Sequence, residues 1–195
     1  MRDADVRSSL HRWLNDHHRG ELSTTRILDE LDIAGQVRVD TVVLNGSFAG
    51  FEIKSASDTL RRLPRQVEVY SQVLDFATLV VARNHSTKAR DLLPSWWGVI
   101  EATSRPDGVK LRSVRKARRN ATVDPVTLCT LLWRQEVLAE LELHDAAKGV
   151  RGKPNWVLWE RLAETVDSET LRDAVRERLK ARSDWRAGTP LPRGA

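Results

Sequence analysis

Val37-Arg38-Val39-Asp40-Thr41-Val42-Val43-Leu44, then Asn45-Gly46-Ser47, then Phe48-Ala49-Gly50-Phe51-Glu52-Ile53-Lys54-Ser55: the reading of this stretch decides the fold. Its first arm is rich in Val and Thr, whose branched side chains fit a pleated strand. Asn-Gly is a strong turn signal, so Phe48 to Ser55 reads as the returning strand. Both arms carry apolar residues on both faces, which predicts a sheet covered on each side. Glu52 and Lys54 are two apart and leave the same face, while Ile53 points the other way into apolar packing. The position of Asp40 depends on the loop. A two-residue loop at Asn45-Gly46 pairs Leu44 with Ser47 and sends Asp40 and Glu52 to opposite faces. A three-residue loop pairs Leu44 with Phe48 and sets Asp40 opposite Glu52.

Outward from this hairpin, the chain alternates helical and strand patterns. Val6, Leu10, Trp13 and Leu14 share one face of an amphipathic helix from Asp5 to about His17. Thr25 to Ile33 fits either a strand or a short helix. Thr59 to Phe76 reads as a helix in two parts, capped by Ser57 or Asp58, with Pro64 opening the second part. Thr78 to Ala82 is a buried strand, Thr87 to Leu93 a helix, and Trp96 to Ala102 and Val109 to Val114 two further strands. This order predicts an α/β fold with a central mixed sheet of four to five strands flanked by helices. After Asn120 the pattern becomes all helical: one long helix from Val126 to Leu143, a second from Trp156 to Val166, and a third from Glu169 to Arg182 capped by Ser168. The chain therefore divides into a core, residues 1–119, and a helical C-terminal extension, residues 120–195. The tail from Ala187 is rich in Gly and Pro and reads as loose.

At 195 residues and 41% hydrophobic content the chain can bury a core, which excludes global disorder. No apolar run is long enough to span a membrane and the first residues are not a signal peptide, so a cytoplasmic protein is expected. The single cysteine, Cys129, excludes an intrachain disulfide and reads as core. The +5 net charge lies entirely within the first 119 residues. It is densest at Lys110, Arg112, Arg115, Lys116, Arg118 and Arg119, which fits either a charged edge strand or a phosphate-contacting surface. Five tryptophans, Trp96, Trp97, Trp133, Trp156 and Trp159, sit in apolar periodic contexts and are expected in the core. His17 and His18 are adjacent and make a poor metal pair.

Glu52 beside Lys54 alone is an ordinary ion pair. Asp40 opposite Glu52 is different, because two facing carboxylates repel unless a cation lies between them. Mg²⁺ accepts oxygen ligands and keeps several waters, so two carboxylates and a backbone carbonyl suffice. Such an ion acidifies water and polarises a phosphoryl oxygen, and Lys54 would orient the attacking water or offset transition-state charge.

Asp40, followed by eleven residues and then Glu52-Ile53-Lys54, resembles motifs II and III of the PD-(D/E)XK nuclease superfamily, with Val39 where a Pro is usual. Gln66-Val67-Glu68-Val69-Tyr70 resembles the Q-x-x-x-Y motif of its RecB and lambda-exonuclease-like branch. Positions i and i+4 share a helix face, so Gln66 and Tyr70 can point together at the site. Ser55, Asp58, Arg61, Arg62 and Arg65 resemble the corresponding stretch of a small uncharacterised bacterial family in that superfamily. The resemblance runs from near the N-terminus through Trp96-Trp97-Gly98 and implies a restriction-endonuclease-like core. It implies Mg²⁺ or Mn²⁺ on Asp40, Glu52 and the backbone carbonyl of Ile53, and Glu30 as the upstream acid, with Asp29 and Asp5 as rivals. Lys54, Gln66 and Tyr70 complete the catalytic set, and Arg61, Arg62 and Arg65 are candidates for nucleic-acid phosphates.

The expected activity is metal-dependent hydrolysis of phosphodiester bonds, on DNA rather than RNA, in DNA repair or defence. The alternatives are a catalytically silent fold that binds DNA or a protein partner, and an RNA-directed nuclease. The C-terminal helices are candidates for a homodimer or partner contact.

Overall fold

The Val-rich arms become central strands of a six-stranded sheet in the computed structural model, which describes residues 1–182. The tail read as loose from Ala187 lies outside the described residues. Strands β1 (Arg26–Ile33), β2 (Val37–Leu44), β3 (Phe48–Lys54), β4 (Phe76–Ala82), β5 (Gly98–Arg105) and β6 (Gly108–Arg115) lie side by side in chain order. The β3–β4 and β4–β5 pairs are parallel and the others antiparallel, which gives the expected mixed sheet. The sixth strand is β1, which the sequence left between strand and helix. Leu44 pairs with Phe48, so the loop has three residues, Asn45-Gly46-Ser47, with the Asn45 side chain accepting from the Ser47 N–H at 3.1 Å.

Helix α1 (Asp3–His17) covers one face of the sheet, where Val6, Leu10 and Leu14 pack on Val43, Phe51, Ile53, Val80 and Ile100. The opposite face is covered by α2 (Leu63–Tyr70), α3 (Ser86–Asp91), α4 (Pro125–Cys129), α5 (Arg134–Leu143), α6 (Asn155–Thr165) and α7 (Ser168–Ala181). Leu28, Val42, Leu79, Leu128, Leu158 and Val175 belong to one apolar cluster on that side, which runs without a break from sheet to C-terminal helices. Asn120 joins the two regions: its side chain donates to the carbonyls of Ser71 (2.7 Å) and Leu74 (3.0 Å).

Local hydrogen bonding corrects several boundaries that periodicity alone set. The expected helix from Val126 to Leu143 is broken at Trp133, whose backbone is extended and whose N–H is accepted by the Glu136 side chain at 2.7 Å. The helix expected from Thr59 shrinks to α2, with Pro64 in its first turn and no side-chain cap. Asp58 is instead spent on the Ser55 N–H, at 2.7 Å. Asp167, not Ser168, caps α7 by accepting from the N–H groups of Glu169 and Thr170. Trp97 is fully buried, but Trp133 and Trp156 are exposed, contrary to their apolar contexts.

The basic strand β6 lies at the sheet edge. Arg112 pairs with Glu101, Arg115 and Arg118 donate to the carbonyls of Trp97 and Ser95, and Arg119 pairs with Glu169. These internal contacts support the charged-edge reading of that segment.

A buried ion pair ties α7 to the sheet. Asp75, before β4, accepts from Arg172 and from the Phe48 N–H at 2.8 Å, and both charged residues are buried. Removing one partner leaves a charge without compensation in a low-dielectric interior. Arg172→Ala is therefore expected to cost about 3–5 kcal/mol in urea denaturation. The double variant Asp75→Asn/Arg172→Met should recover most of that loss. A loss under about 1 kcal/mol in the single variant would mean that the pair does not hold α7 in place.

Candidate active site

The site forms where β2 and β3 separate. Their ladder ends at Thr41–Phe51, and Asp40 and Glu52 are the next residues outward. Asp40 no longer faces a strand partner, and its Oδ2 accepts from the Ile53 N–H at 2.7 Å. Asp40, Glu52, Ile53, Lys54 and Gln66 line one cavity of about 300 Å³. The two carboxylates thus share a cavity, as the three-residue loop predicts.

Alternation along β3 sends Glu52 toward α2 and Ile53 toward α1, the arrangement read from the sequence. Glu52 is 2% exposed. Its Oε1 accepts from Lys54 Nζ and from Gln66 Nε2, each at 2.5 Å, and its Oε2 accepts from the Tyr70 hydroxyl at 2.5 Å. Gln66 and Tyr70 reach the same carboxylate because they lie one helical turn apart on α2. The Tyr70 ring stacks on Trp97, with centroids 5.8 Å apart and planes 3° from parallel. Burial, then the Glu52 charge, pushes the Tyr70 pKa far above its ordinary value, so the phenol keeps its proton as a donor.

Asp40 is pushed up to about 6, first by burial and second by the charge of Glu52. The Ile53 N–H, Arg7 and Lys54 offset only part of this. Arg7, on α1, was not singled out by the sequence reading. Its Nη1 donates to the Asp40 carbonyl at 2.5 Å, and its Nη2 lies 3.4 Å from Asp40 Oδ1. It also binds Asp3 one turn earlier and lies 3.6 Å from Asp29. The i, i+4 pair Asp3–Arg7 is legible in the sequence, but the sheet end on which it lands is not.

The structure does not bring Glu30 to the cavity. Glu30 has φ of +59°, a left-handed conformation rare outside glycine. The cause lies in the packing: Leu28 and Leu31 on β1, and Val39 and Val42 on β2, bury on the same face although three residues apart. Glu30 sits where the alternation resets, and its exposed side chain pairs with Arg38 at 3.4 Å. Of its rivals, Asp29 is held by Thr41 Oγ1 (2.8 Å) and His11 (2.9 Å), and Asp5 accepts from the Arg2 N–H. The further acids that do line the cavity are Asp3 and Asp58. Arg38, Arg62 and Arg65 stand at its wall with Gln36, whereas Arg61 does not line it. Arg65 pairs with Glu68 at 2.7 Å and with Gln36.

The donor set fits a hard divalent cation. Asp40 and Glu52 supply two carboxylates, and no group of three His, Cys, Asp or Glu side chains stands at metal spacing among the described residues. Mg²⁺ or Mn²⁺ tolerates so few protein ligands because it keeps waters.

The fold and site together define a class: a mixed α/β protein with two carboxylates and a lysine converging at the open end of a central hairpin. The chain belongs to the bacteriophage P4 protein cII family, whose model matches residues 1–187. It is 31% identical to Protein cII of Enterobacteria phage P4 over 138 residues, 70% of this chain and 52% of that protein. The chain thus spans about half the length of that curated relative. Two solved structures overlap it in part. One is the SPO1766 protein of unknown function from Silicibacter pomeroyi, with TM-score 0.44, 21% identity, and 74% of this chain and 92% of that one covered. The other is Pyrococcus furiosus SfsA in complex with Ca²⁺, with TM-score 0.36, 11% identity, and 58% and 63% covered. Likenesses this slight carry no argument about the site.

The Asp40 shift gives a signed expectation for the metal-free protein. Its folded pKa lies above the usual 3.8, so its contribution to stability is complete below about pH 4 and is lost as pH rises through about 6. Denaturation in chelator should show stability falling across that window by up to about 3 kcal/mol. Asp40→Asn, which can still accept from the Ile53 N–H, should remove most of the slope. A wild-type profile already flat across the window would mean that neither burial nor Glu52 raises Asp40 in the folded protein.

Proposed function

We propose that this chain is a divalent-metal-dependent nuclease of the cytoplasm, with DNA as its preferred substrate. The observation that carries this reading is the convergence of Asp40, Glu52 and Lys54 in one cavity, where burial first and the Glu52 charge second raise Asp40. Asp40, Glu52 and the Ile53 carbonyl are the groups that would hold Mg²⁺ or Mn²⁺. When bound, the ion makes water more acidic and offsets charge on a phosphoryl oxygen. Glu52 is fixed in orientation by Gln66 and Tyr70. Lys54, now on Glu52 Oε1, has an ammonium that can turn toward an attacking water or a developing phosphorane charge. Arg62 and Arg65 stand at the cavity wall, where phosphates would enter.

One observation favours the silent-fold alternative, a module that binds DNA or a protein without cutting. Both Glu52 oxygens already have donors, as those of a purely structural carboxylate would. Cleavage assays decide between the two readings. Purified protein with Mn²⁺ should cut at least one of linear, circular or single-stranded DNA, and cut RNA less. Asp40→Asn, Glu52→Gln and Lys54→Met should each lower the rate by at least about a hundredfold, the scale of losing one well-placed electrostatic group. In calorimetry, Mn²⁺ binding should weaken in the two carboxylate variants and change less in Lys54→Met. Folded wild-type protein that takes up no Mn²⁺ and leaves every substrate intact would retire the nuclease reading. Faster cleavage of RNA than of DNA would change the substrate.

A further inference from the structure

The C-terminal helices expose aromatic surface far from periodic expectation. Trp156 at the start of α6 is 58% exposed and Trp133 before α5 is 40% exposed. Arg134 fastens these positions together: its Nη1 donates to Asn155 Oδ1 at 2.8 Å and its Nη2 to the Arg151 carbonyl at 2.6 Å. Each tryptophan is the immediate neighbour of a residue in that bond. Between α5 and α6 runs the segment Lys148-Gly149-Val150-Arg151-Gly152-Lys153, which contains three bases and no acid. Val150 is buried and Lys153 donates its backbone N–H to the Val150 carbonyl, so the segment has a fixed shape. Arg151 is paired with Glu142, whereas Lys148 and Lys153 make no ion pair among the described residues. Arg182 lies over the Trp133 ring, 4.2 Å from its centroid, which holds the indole in place.

From this arrangement we infer that the α5–α6 corner binds single-stranded nucleic acid, with Trp156 stacking on a base and Lys148 and Lys153 contacting phosphates. An exposed indole is costly to leave in water, and every base offers it a flat apolar face. The cations of the loop leading into α6 match an anionic backbone, which a purely apolar partner would not need. The basic edge strand β6 and the residues after it are a weaker candidate, because Arg112, Arg115, Arg118 and Arg119 are already engaged within the molecule. This inference does not rest on the nuclease reading, since binding here requires neither metal nor cleavage.

Fluorescence anisotropy with a labelled oligo-dT of about 15 nucleotides, in chelator so that nothing is cut, provides the test. Trp156→Ala should weaken binding about tenfold or more, the scale of one base–aromatic stack. Lys148→Gln/Lys153→Gln should make the salt dependence shallower by about 1.4 units, two phosphates at about 0.7 each for a single strand. Both changes lie on exposed side chains, and matching circular dichroism and melting curves would confirm folding. Should Trp156→Ala fail to fold, the lysine variant decides alone. Affinity and salt slope equal to wild type in these variants would overturn the proposal. So would a loss of duplex-DNA binding in Trp156→Ala as large as its loss of oligo-dT binding, competition by polyglutamate at equal charge, or a concentration-dependent dimer that Trp156→Ala abolishes.

Discussion

Glu52 is an anion taken almost wholly out of water, and the surrounding structure is arranged to make that burial tolerable. An isolated buried carboxylate costs several kcal/mol. Three donors answer it, and hydrogen bonds to a charged group contribute roughly 1.5–3 kcal/mol each. Those donors constrain the architecture. Gln66 and Tyr70 require α2 to run across the end of β3 with one face turned inward. Tyr70 in turn is held by stacking on Trp97, whose position depends on the turn before β5. Lys54 must stay on the same strand face as Glu52, which fixes β3 as extended to its last residue. A shift of one residue in β3 would turn Ile53 toward these donors and the acid into the apolar cluster under α1.

Asp40 is held differently, by backbone and by α1. The strands part beside it, leaving its carbonyl to Arg7 and its carboxylate to the Ile53 N–H. The cavity walls carry Asp3, Asp40, Glu52 and Asp58 against Arg38, Lys54, Arg62 and Arg65, so its formal charges balance. Balance in total is compatible with frustration in detail: Asp40 and Glu52 still raise the cost of ionising together. That local misfit separates this cavity from the ordinary ion pairs on the surface of the same molecule.

Sequence patterning revealed the hairpin and the two faces of β3, because strand alternation and turn chemistry are local properties, but it left a two-residue and a three-residue loop both open. Gln66 and Tyr70 were singled out by the motif resemblance, and helical spacing explains why both reach one carboxylate. Patterning failed where a side chain replaced a regular backbone bond. Glu136 broke a helix that its leucines alone would have continued, and Asp58 served a loop instead of a cap. Arg7 and Asp3 were invisible as site residues because nothing in α1 says which end of the sheet it meets. Glu30 was misplaced for the converse reason. Its spacing suited an active-site acid, but two leucines three residues apart needed the same face, and the backbone turned left-handed between them. Trp133 and Trp156 departed from their apolar surroundings because periodicity records neighbours along the chain and not what stands opposite.

The bond between Arg172 and Asp75 joins residues 97 positions apart. During synthesis at roughly 5–20 residues per second, Asp75 waits on the order of 5–20 s for its guanidinium to be made. Throughout that interval the nascent sheet carries a carboxylate that its interior cannot accommodate, and the leucines that α4, α6 and α7 will cover face solvent. The sheet therefore reaches its final packing only after α7 has been made, and the ribosome-bound intermediate before that point is exposed to proteases and to other nascent chains.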